Sequence, residues 1–315
     1  QTMTTAKAAL DWLQSGITIF DTLTLSIAGD HDLIDYIFDH PDSAKVRLIG
    51  TALSGAMPTK ADMVGTRATD EATIKGRFTA SINLGGSGDA TDGGLKIPNG
   101  LSGIENICIL SNTRYSLDIG YSEAHSNSRS ARKIRLKNSA IVGGVWGLIA
   151  VGAQVRIPAL SSVFFAYQNT GTQPGGPCDF INCYVRLEGE YNVYSAGQSS
   201  KYGLFAEGKS YVFGPQNIDI KGPFLHGVHA VDSTIIADGL VTDGVTCPIT
   251  AQPGSTFIQA VGYSFSNGDV ANTNTLSSAG QNGFGNNNSP ANALVFAGLG
   301  AKFGTNAGSM NNMTA

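Results

Sequence analysis

Two acidic residues stand close together in the segment YVRLEGEYNVY, residues 184–194. Glu188 and Glu190 are two residues apart, and at that spacing the side chains of a β-strand lie on one face. Enzymes that hydrolyse glycosidic bonds use such a carboxyl pair, one group protonated and the other ionised. Gly189 lies between them and can equally form a turn that separates them. Glu188 and Glu190 are therefore candidate catalytic residues, and the alternative is a pair of turn-capping or solvated carboxylates.

Aromatic residues surround this acidic pair. Tyr184, Tyr191 and Tyr194 belong to the same segment, and Tyr167 follows an aromatic run one region earlier. Aromatic rings stack on sugar rings, and carboxylates accept hydrogen bonds from sugar hydroxyls. We therefore expect these four tyrosines to bind a glycan. The alternative is that they pack inside the fold or between chains.

A basic run begins within the segment HSNSRS, residues 125–130. It predicts a positive strip that can meet an anionic glycan, or else a solvated face. Its members are Arg129, Arg132, Lys133, Arg135 and Lys137. The whole chain has a formal net charge of −4, which gives no general reason to expect a nucleic-acid partner.

The sequence contains no recognisable cofactor or metal motif. A phosphate-binding loop, a nucleophile elbow, an HExxH motif and a dinucleotide fingerprint are all missing. The four cysteines form no CxxC pair, and we expect them to be buried thiols, with a Cys178–Cys183 disulfide as the alternative. We expect no cofactor and no metal. The apolar run 138–155 is too short to span a membrane, and we expect no membrane insertion.

The composition indicates short strands joined by tight turns. The chain has 315 residues, of which 40 are glycine, and only 14% are charged while 42% are hydrophobic. From residue 97 to residue 265, short apolar runs end in Gly, Asn or Asp, which tolerate left-handed turn geometry. In the basic run, Ile134 and Leu136 alternate with the cations, as in a strand with one buried face.

A repeated phrase indicates how these strands are arranged. GLFA begins at Gly203 and GVHA at Gly227, 24 residues later, and GLIA occupies residues 147–150. One turn of a solenoid built from short strands takes a similar length. The spacing predicts a parallel β-helix in which Leu204 stacks on Val228, and Ala206 on Ala230. The structural alternative is a Greek-key sandwich.

The predicted organisation has three parts. Residues 1–20 form a helical cap, with the helical pattern in 3–15, and residues 21–262 form the parallel β-helix, with a loop or insertion in 51–92. Residues 263–315 are rich in Asn and Gly but carry apolar anchors. We expect that segment to pack on the solenoid or against identical chains.

Residues 22–50 resemble the first coil of phage tail-fibre and tailspike β-helices. The matching residues are His40-Pro41-Asp42 and Val46–Gly50, with Ser43 where a glycine is expected. The later segments GLFAEGKSYVFG and GVHAVDSTIIADG resemble further coils of the same proteins, so that the likeness covers about residues 20–50 and 97–245.

The resemblance implies an all-β, right-handed parallel β-helix that forms a homotrimer with other tail proteins on a virion. It implies a receptor-binding or adhesive role toward bacterial surface polysaccharide. The alternative is a tailspike that depolymerises the polysaccharide by hydrolysis or elimination, and the third reading is a bacterial surface adhesin. The resemblance assigns no particular catalytic residue, and we lean toward a protein that is not an enzyme.

Overall fold

A computed structural model describes most of the chain up to residue 265 and one later strand. The described residues are 3–63, 65–85, 94–111, 115–120, 132–158, 162–167, 175–189, 191–196, 200–251, 255–259, 263–265 and 294–297.

Strands dominate the described residues. Two α-helices are present, α1 (Ala6–Gln14) and α2 (Arg67–Lys75), with 3-10 turns at Ser43–Lys45 and Lys60–Asp62. The strands are β1 (Leu23–Ile27), β2 (Gly29–Asp32), β3 (Tyr36–Ile37), β4 (Val46–Gly50), β5 (Ala80–Asn83), β6 (Leu95–Lys96), β7 (Gly103–Glu105), β8 (Cys108–Leu110), β9 (Tyr115–Ile119), β10 (Lys133–Lys137), β11 (Ala140–Gly143), β12 (Trp146–Val151), β13 (Gln154–Ile157), β14 (Ser162–Tyr167), β15 (Gly176–Ile181), β16 (Tyr184–Leu187), β17 (Tyr191–Ala196), β18 (Ser200–Glu207), β19 (Tyr211–Val231), β20 (Thr234–Ala251), β21 (Thr256–Gln259), β22 (Tyr263–Phe265) and β23 (Leu294–Ala297).

The strands stack in three columns, and each turn of the chain adds one strand to each column. The first column runs β1, β4, β7, β10, β13, β16 and continues into the first parts of β19 and β20, then β21 and β23. The second runs β2, β5, β8, β11, β14, β17, and the third runs β3, β6, β9, β12, β15, β18. The later parts of β19 and β20 extend both. All these pairings are parallel, so the predicted parallel β-helix is confirmed and the Greek-key sandwich is excluded.

The repeated phrase reports the register of the third column. Leu204 pairs with Val228, and Ala206 pairs with Ala230, as the spacing predicts. The earlier GLIA belongs to the same column two strands before, because Ala150 pairs with Phe180, which pairs with Ala206. All of these side chains are buried in one continuous hydrophobic core. The stacking also continues past residue 262, since β22 pairs with β20 and β23 with β21.

Asparagine and serine side chains hold the turns. Asn106 and Asn138 adopt left-handed backbone conformations with φ of 56° and 47°. The Asn138 amide donates to the Asn106 side-chain oxygen at 3.3 Å, which links two successive turns. Ser210 and Ser233 act similarly at the corner between the third and first columns, where the Ser233 hydroxyl accepts from the Ser210 backbone at 3.1 Å. The expectation that polar turn residues end the strands is confirmed at these corners.

The predicted N-terminal helix is confirmed as α1. Thr5 caps it, because its hydroxyl accepts from the Ala8 backbone at 3.0 Å. Leu10 and Leu13 are buried in the same core as the strands. The helix therefore packs on the first turn of the solenoid. Each of the two described helices has nine residues, fewer than half of the ~20 that a membrane-spanning helix needs.

The predicted insertion lies between β4 and β5 and contains α2. Ile74 of α2 and the following Phe78 form one hydrophobic cluster with the outward-facing residues of the second column. That group comprises Cys108, Ala140, Val142, Val163, Phe165 and Tyr194. The sequence indicated an insertion here but no helix. The insertion covers the outer face of the second column.

Candidate functional site

The outward positions of the first column form a cationic face. Along β10, β13 and β16, buried residues alternate with exposed or half-exposed ones. Arg135, Arg156 and Arg186 are register partners on three consecutive strands. We define the cationic face as these three arginines together with Arg47, Lys133, Lys137, Glu105 and Glu188. The predicted alternation of cations with Ile134 and Leu136 is confirmed.

Two carboxylates each form ion pairs with two neighbouring cations of this face. Glu188 accepts from Arg156 at 2.6 Å and from Arg186 at 2.8 Å. Glu105 accepts from Lys137 at 2.7 Å and also from Arg47. Burial raises the pKa of Glu105, but the hydrogen bonds from Lys137 and Arg47 outweigh it and bring the pKa below its ordinary value.

These contacts place Glu188, one member of the predicted carboxyl pair. Glu188 follows β16, and both of its oxygens accept from guanidinium groups, which is the arrangement of an ion pair. Glu190 lies outside the described residues. The pairing of Glu188 with Glu190 stays a prediction, and the contacts of Glu188 fit a carboxylate that orients two arginines.

An exposed pair of aromatic rings continues the cationic face. Tyr184 on β16 and Tyr211 on β19 are register partners. Their rings stack with centroids 5.5 Å apart and an interplanar angle of 5°. Tyr184 is 50% exposed and Tyr211 is 36% exposed. The predicted binding residue Tyr184 is therefore on the surface, and it has a partner, Tyr211, that the sequence reasoning missed although its spacing of 27 residues from Tyr184 matches one turn.

Two of the other predicted tyrosines, Tyr191 and Tyr194, do not join this surface. Tyr191 is fully buried in the core, where its ring packs on Phe164 and its hydroxyl donates to the Gly203 carbonyl at 3.2 Å. Tyr194 packs on Phe165 in the cluster beneath α2. Their burial corrects the expected four-tyrosine cluster, because neither ring presents a face to a sugar. Tyr167 ends β14, and its side chain lies outside the described part of the structure.

The described residues of the predicted basic run lie in two different places. Lys133, Arg135 and Lys137 lie on the cationic face, whereas Arg132 donates to the Val151 carbonyl at 3.3 Å in a turn. Arg129 lies outside the described residues. The face gains Arg156 and Arg186 from later turns, which the sequence does not place beside the run without knowledge of the register.

A second group of residues, buried apart from the half-buried Phe205, lies on the outer face of the third column. The rings of Trp146, Tyr202 and Phe205 stack nearly in parallel, with the Tyr202 and Phe205 centroids 4.6 Å apart. The His226 and His229 rings contact the Tyr202 ring at 5.4 Å and 4.9 Å. We call these five residues the aromatic–histidine cluster. Burial lowers the pKa of His226 to about 4, and burial together with the charge of His226 lowers that of His229 to about 3.

Asp179 joins this cluster through the register. It pairs with Phe205, which pairs with His229. Asp179 is only 5% exposed, and its Oδ1 has no hydrogen-bond partner. Burial, and then the negative charge of Glu207, raise its pKa to about 8, and burial also raises the pKa of Glu207. The sequence reasoning missed Asp179 because CDF in residues 178–180 does not look like the LFA that it stacks on.

The described cysteines are free thiols. Cys108, Cys178 and Cys183 are all buried and unpaired with one another, which confirms the expectation for these three and excludes the alternative disulfide. Within the described ranges, no three His, Cys, Asp or Glu side chains come together as a metal site. A scan against protein-family models and searches of curated proteins and solved structures find no match for this chain.

Proposed function

We propose that this protein is an adhesive component of a phage tail fibre or tailspike that binds bacterial surface polysaccharide without cleaving it. The observation that supports this most directly is the exposed Tyr184–Tyr211 stack beside Arg186. Stacked aromatic rings offer a flat apolar surface to a sugar ring, and the neighbouring polar groups offer hydrogen bonds to its hydroxyls.

The scaffold suits such a surface because it is rigid before the ligand arrives. Each ring of the pair is held by a strand whose alternate residues, Val185 and Val212, are fully buried in the core. Glu188 fixes the adjacent guanidinium groups of Arg156 and Arg186. A preformed site spends little binding free energy on ordering its own side chains.

The assembly context rests on the resemblance of residues 22–50 to tail-fibre coils and on the parallel solenoid that those residues enter. We propose a homotrimer that joins other virion tail proteins. Light scattering of the purified chain tests the trimer, and a mass corresponding to a monomer at micromolar concentration would contradict it.

Adhesion is tested by retention on immobilised surface polysaccharides from a panel of bacteria. Tyr184→Ala should weaken retention about tenfold, because loss of an aromatic–sugar stack removes on the order of 1–2 kcal/mol. Phe20→Ala is the matched control, since Phe20 is an aromatic residue 88% exposed but outside the cationic face. Equal retention of Tyr184→Ala and the wild type would show that the stack is not the contact.

Cleavage of the polysaccharide is the second candidate function, and Asp179 is the observation that favours it. A carboxyl group protonated at neutral pH is what a general acid requires, and Glu207 provides a second carboxyl two residues beyond the register partner of Asp179. The same incubations are therefore assayed for new reducing or unsaturated ends. New ends that disappear in Asp179→Asn or Glu188→Gln would make the protein a depolymerase, whereas retention without new ends supports adhesion.

A further inference from the structure

The cationic face carries more positive charge than its own carboxylates neutralise. Its cations are Arg47, Lys133, Arg135, Lys137, Arg156 and Arg186, and its carboxylates are Glu105 and Glu188. Six cations against two carboxylates leave a formal excess of four positive charges. The whole chain has a net charge of −4, so this excess is a local feature of one face.

The fold places these charges in an unfavourable arrangement. Arg135, Arg156 and Arg186 occupy the same register position on adjacent strands, which lie about 4.8 Å apart. Like charges directly opposite one another destabilise a sheet. Glu188 offsets this for Arg156 and Arg186, but the Nε of Arg135 is buried without a hydrogen-bond partner. An anion lying across these strands would relieve the repulsion and offset the charge of Arg135, with which neither Glu105 nor Glu188 forms an ion pair.

The Tyr184–Tyr211 stack lies on the same face as the arginines. Tyr184 precedes Arg186 by two residues on β16 and therefore shares its face. The register runs Lys133, Gln154, Tyr184, Tyr211 in one row, beside Arg135, Arg156, Arg186, Phe213 in the next. Both rows run across the strands, along the solenoid axis. The cations and the Tyr184–Tyr211 pair therefore follow one another along the solenoid axis.

We propose that the cationic face binds an acidic polysaccharide, a polymer whose sugars carry carboxylate or phosphate groups, and that the polymer lies along the solenoid axis. The arginines pair with the acidic groups, and the Tyr184–Tyr211 stack contacts a sugar ring. This inference rests on the proposed adhesive function and names its ligand class. A carboxylate and a phosphodiester offer the same anionic oxygens to a guanidinium group, and the probes distinguish them.

The test measures the affinity of the full chain for four defined probes. They are polygalacturonate, the same polymer after reduction of its carboxyl groups to alcohols, a phosphomannan and duplex DNA. We expect one of the two non-nucleic acidic polymers to bind at least tenfold more tightly than the carboxyl-reduced polymer at 20 mM NaCl. That preference should shrink at 200 mM NaCl, because salt screens exposed charges.

Arg135→Gln is the informative variant, because it leaves the ion pairs of Glu105 and Glu188 in place. Loss of one charge-assisted contact should lower the affinity for the acidic polymer about tenfold and leave that for the reduced polymer unchanged. Lys7→Gln is the control, since it removes an exposed cation of α1 outside the face. Circular dichroism checks that both variants keep the β-sheet signal of the wild type.

Three outcomes would overturn the inference. Equal affinity for the acidic and the reduced polymers would leave adhesion standing and remove the charge preference. An unchanged affinity of Arg135→Gln for the acidic polymer would remove the cationic face as its site. Tighter binding of duplex DNA than of either acidic polymer, weakened by Arg135→Gln, would assign the face to nucleic acid. If no polysaccharide is retained, either here or in the bacterial panel, the proposed function itself is wrong.

Discussion

Replacing Asp179 by Asn tests whether this side chain is a buried, neutral carboxylic acid. In the folded protein its pKa is raised to about 8, against an ordinary value of 3.8. The folded state therefore holds a proton that the unfolded state releases at neutral pH. A raised pKa gives stability that is complete below pH 3.8 and is lost as the pH rises toward 8. Asn cannot ionise, so the variant lacks this dependence.

The magnitude follows from the two pKa values. One pKa unit corresponds to about 1.4 kcal/mol, and between pH 6 and pH 8 the folded state keeps its proton until the pH approaches 8, whereas the unfolded state has already lost it. Over that interval the wild type should lose about 2 kcal/mol of unfolding free energy relative to Asp179→Asn. The absolute stability of the variant is not the readout, because loss of the acid also changes local packing.

The two histidines of the aromatic–histidine cluster act in the opposite sense. Their lowered pKa values of about 4 and about 3 mean that the unfolded state takes up their protons first as the pH falls through 6.5. Stability from His226 and His229 therefore rises by about 0.8 kcal/mol each between pH 6 and pH 8. These gains offset much of the loss from Asp179 in the wild-type curve, so that only the difference between wild type and variant isolates Asp179.

The assay is urea unfolding at pH 6, 7 and 8, followed by circular dichroism, for wild type, Asp179→Asn and Asp35→Asn. Asp35 is an exposed carboxylate that pairs with Lys96 and controls for the removal of a negative charge. A difference between wild type and Asp179→Asn that stays constant within about 0.5 kcal/mol from pH 6 to pH 8 would refute the reasoning. It would mean that Asp179 is hydrated or paired in the folded protein.

Two further predictions concern the turns and the thiols. Asn138→Ala should lower the unfolding free energy by about 1–2 kcal/mol, because alanine is strained at φ 47° and the hydrogen bond to Asn106 is lost. Asn138→Gly loses the same hydrogen bond without the strain and should lower the unfolding free energy less. Urea midpoints compare the two variants, and equal midpoints would contradict the strain argument. In a Cys247→Ser background, the remaining three thiols should not react with a thiol reagent at pH 8 until urea unfolds the chain. Burial raises the pKa of Cys183 to about 11 and raises those of Cys108 and Cys178 further, so that the reactive thiolate form is scarce. Mass spectrometry counts the labelled thiols, and rapid labelling of the folded protein would refute the prediction.

The sequence predicts the solenoid because its signal is local and repeated. The spacing of Leu204 and Val228 indicates the register of the third column, and the short apolar runs on either side indicate the strand lengths. The helix α2 escapes the same reasoning, since its nine residues bury only Asp70 and Ile74. Its position is decided by the apolar outer face of the second column, which assembles from strands far apart in the chain.

The candidate binding residues are harder to predict, because whether a side chain points into the core or outward depends on its column as well as on its spacing along the chain. Tyr184 and Tyr191 are seven residues apart, yet the turn between β16 and β17 moves the chain to the next column and points Tyr191 into the core. Tyr194 does face outward, but the insertion with α2 covers that face. Glu188 is visible in the sequence, whereas the two arginines that bind it lie on the strand that precedes it and on the strand paired with that one, 30 residues earlier.

The three columns of the described region differ in what covers their outer faces, and this difference bears on both the ligand and the assembly. The second column lies beneath α2 and Phe78, and the third holds Asp179 and the aromatic–histidine cluster in a buried environment. The first column presents its exposed aromatic pair and its excess of cations to solvent. A homotrimer built through that face would bring three sets of unneutralised cations together around one axis, which Coulomb repulsion opposes. The trimer we propose must therefore use other surfaces, and it would then display three cationic faces outward, where each can bind an acidic polymer independently.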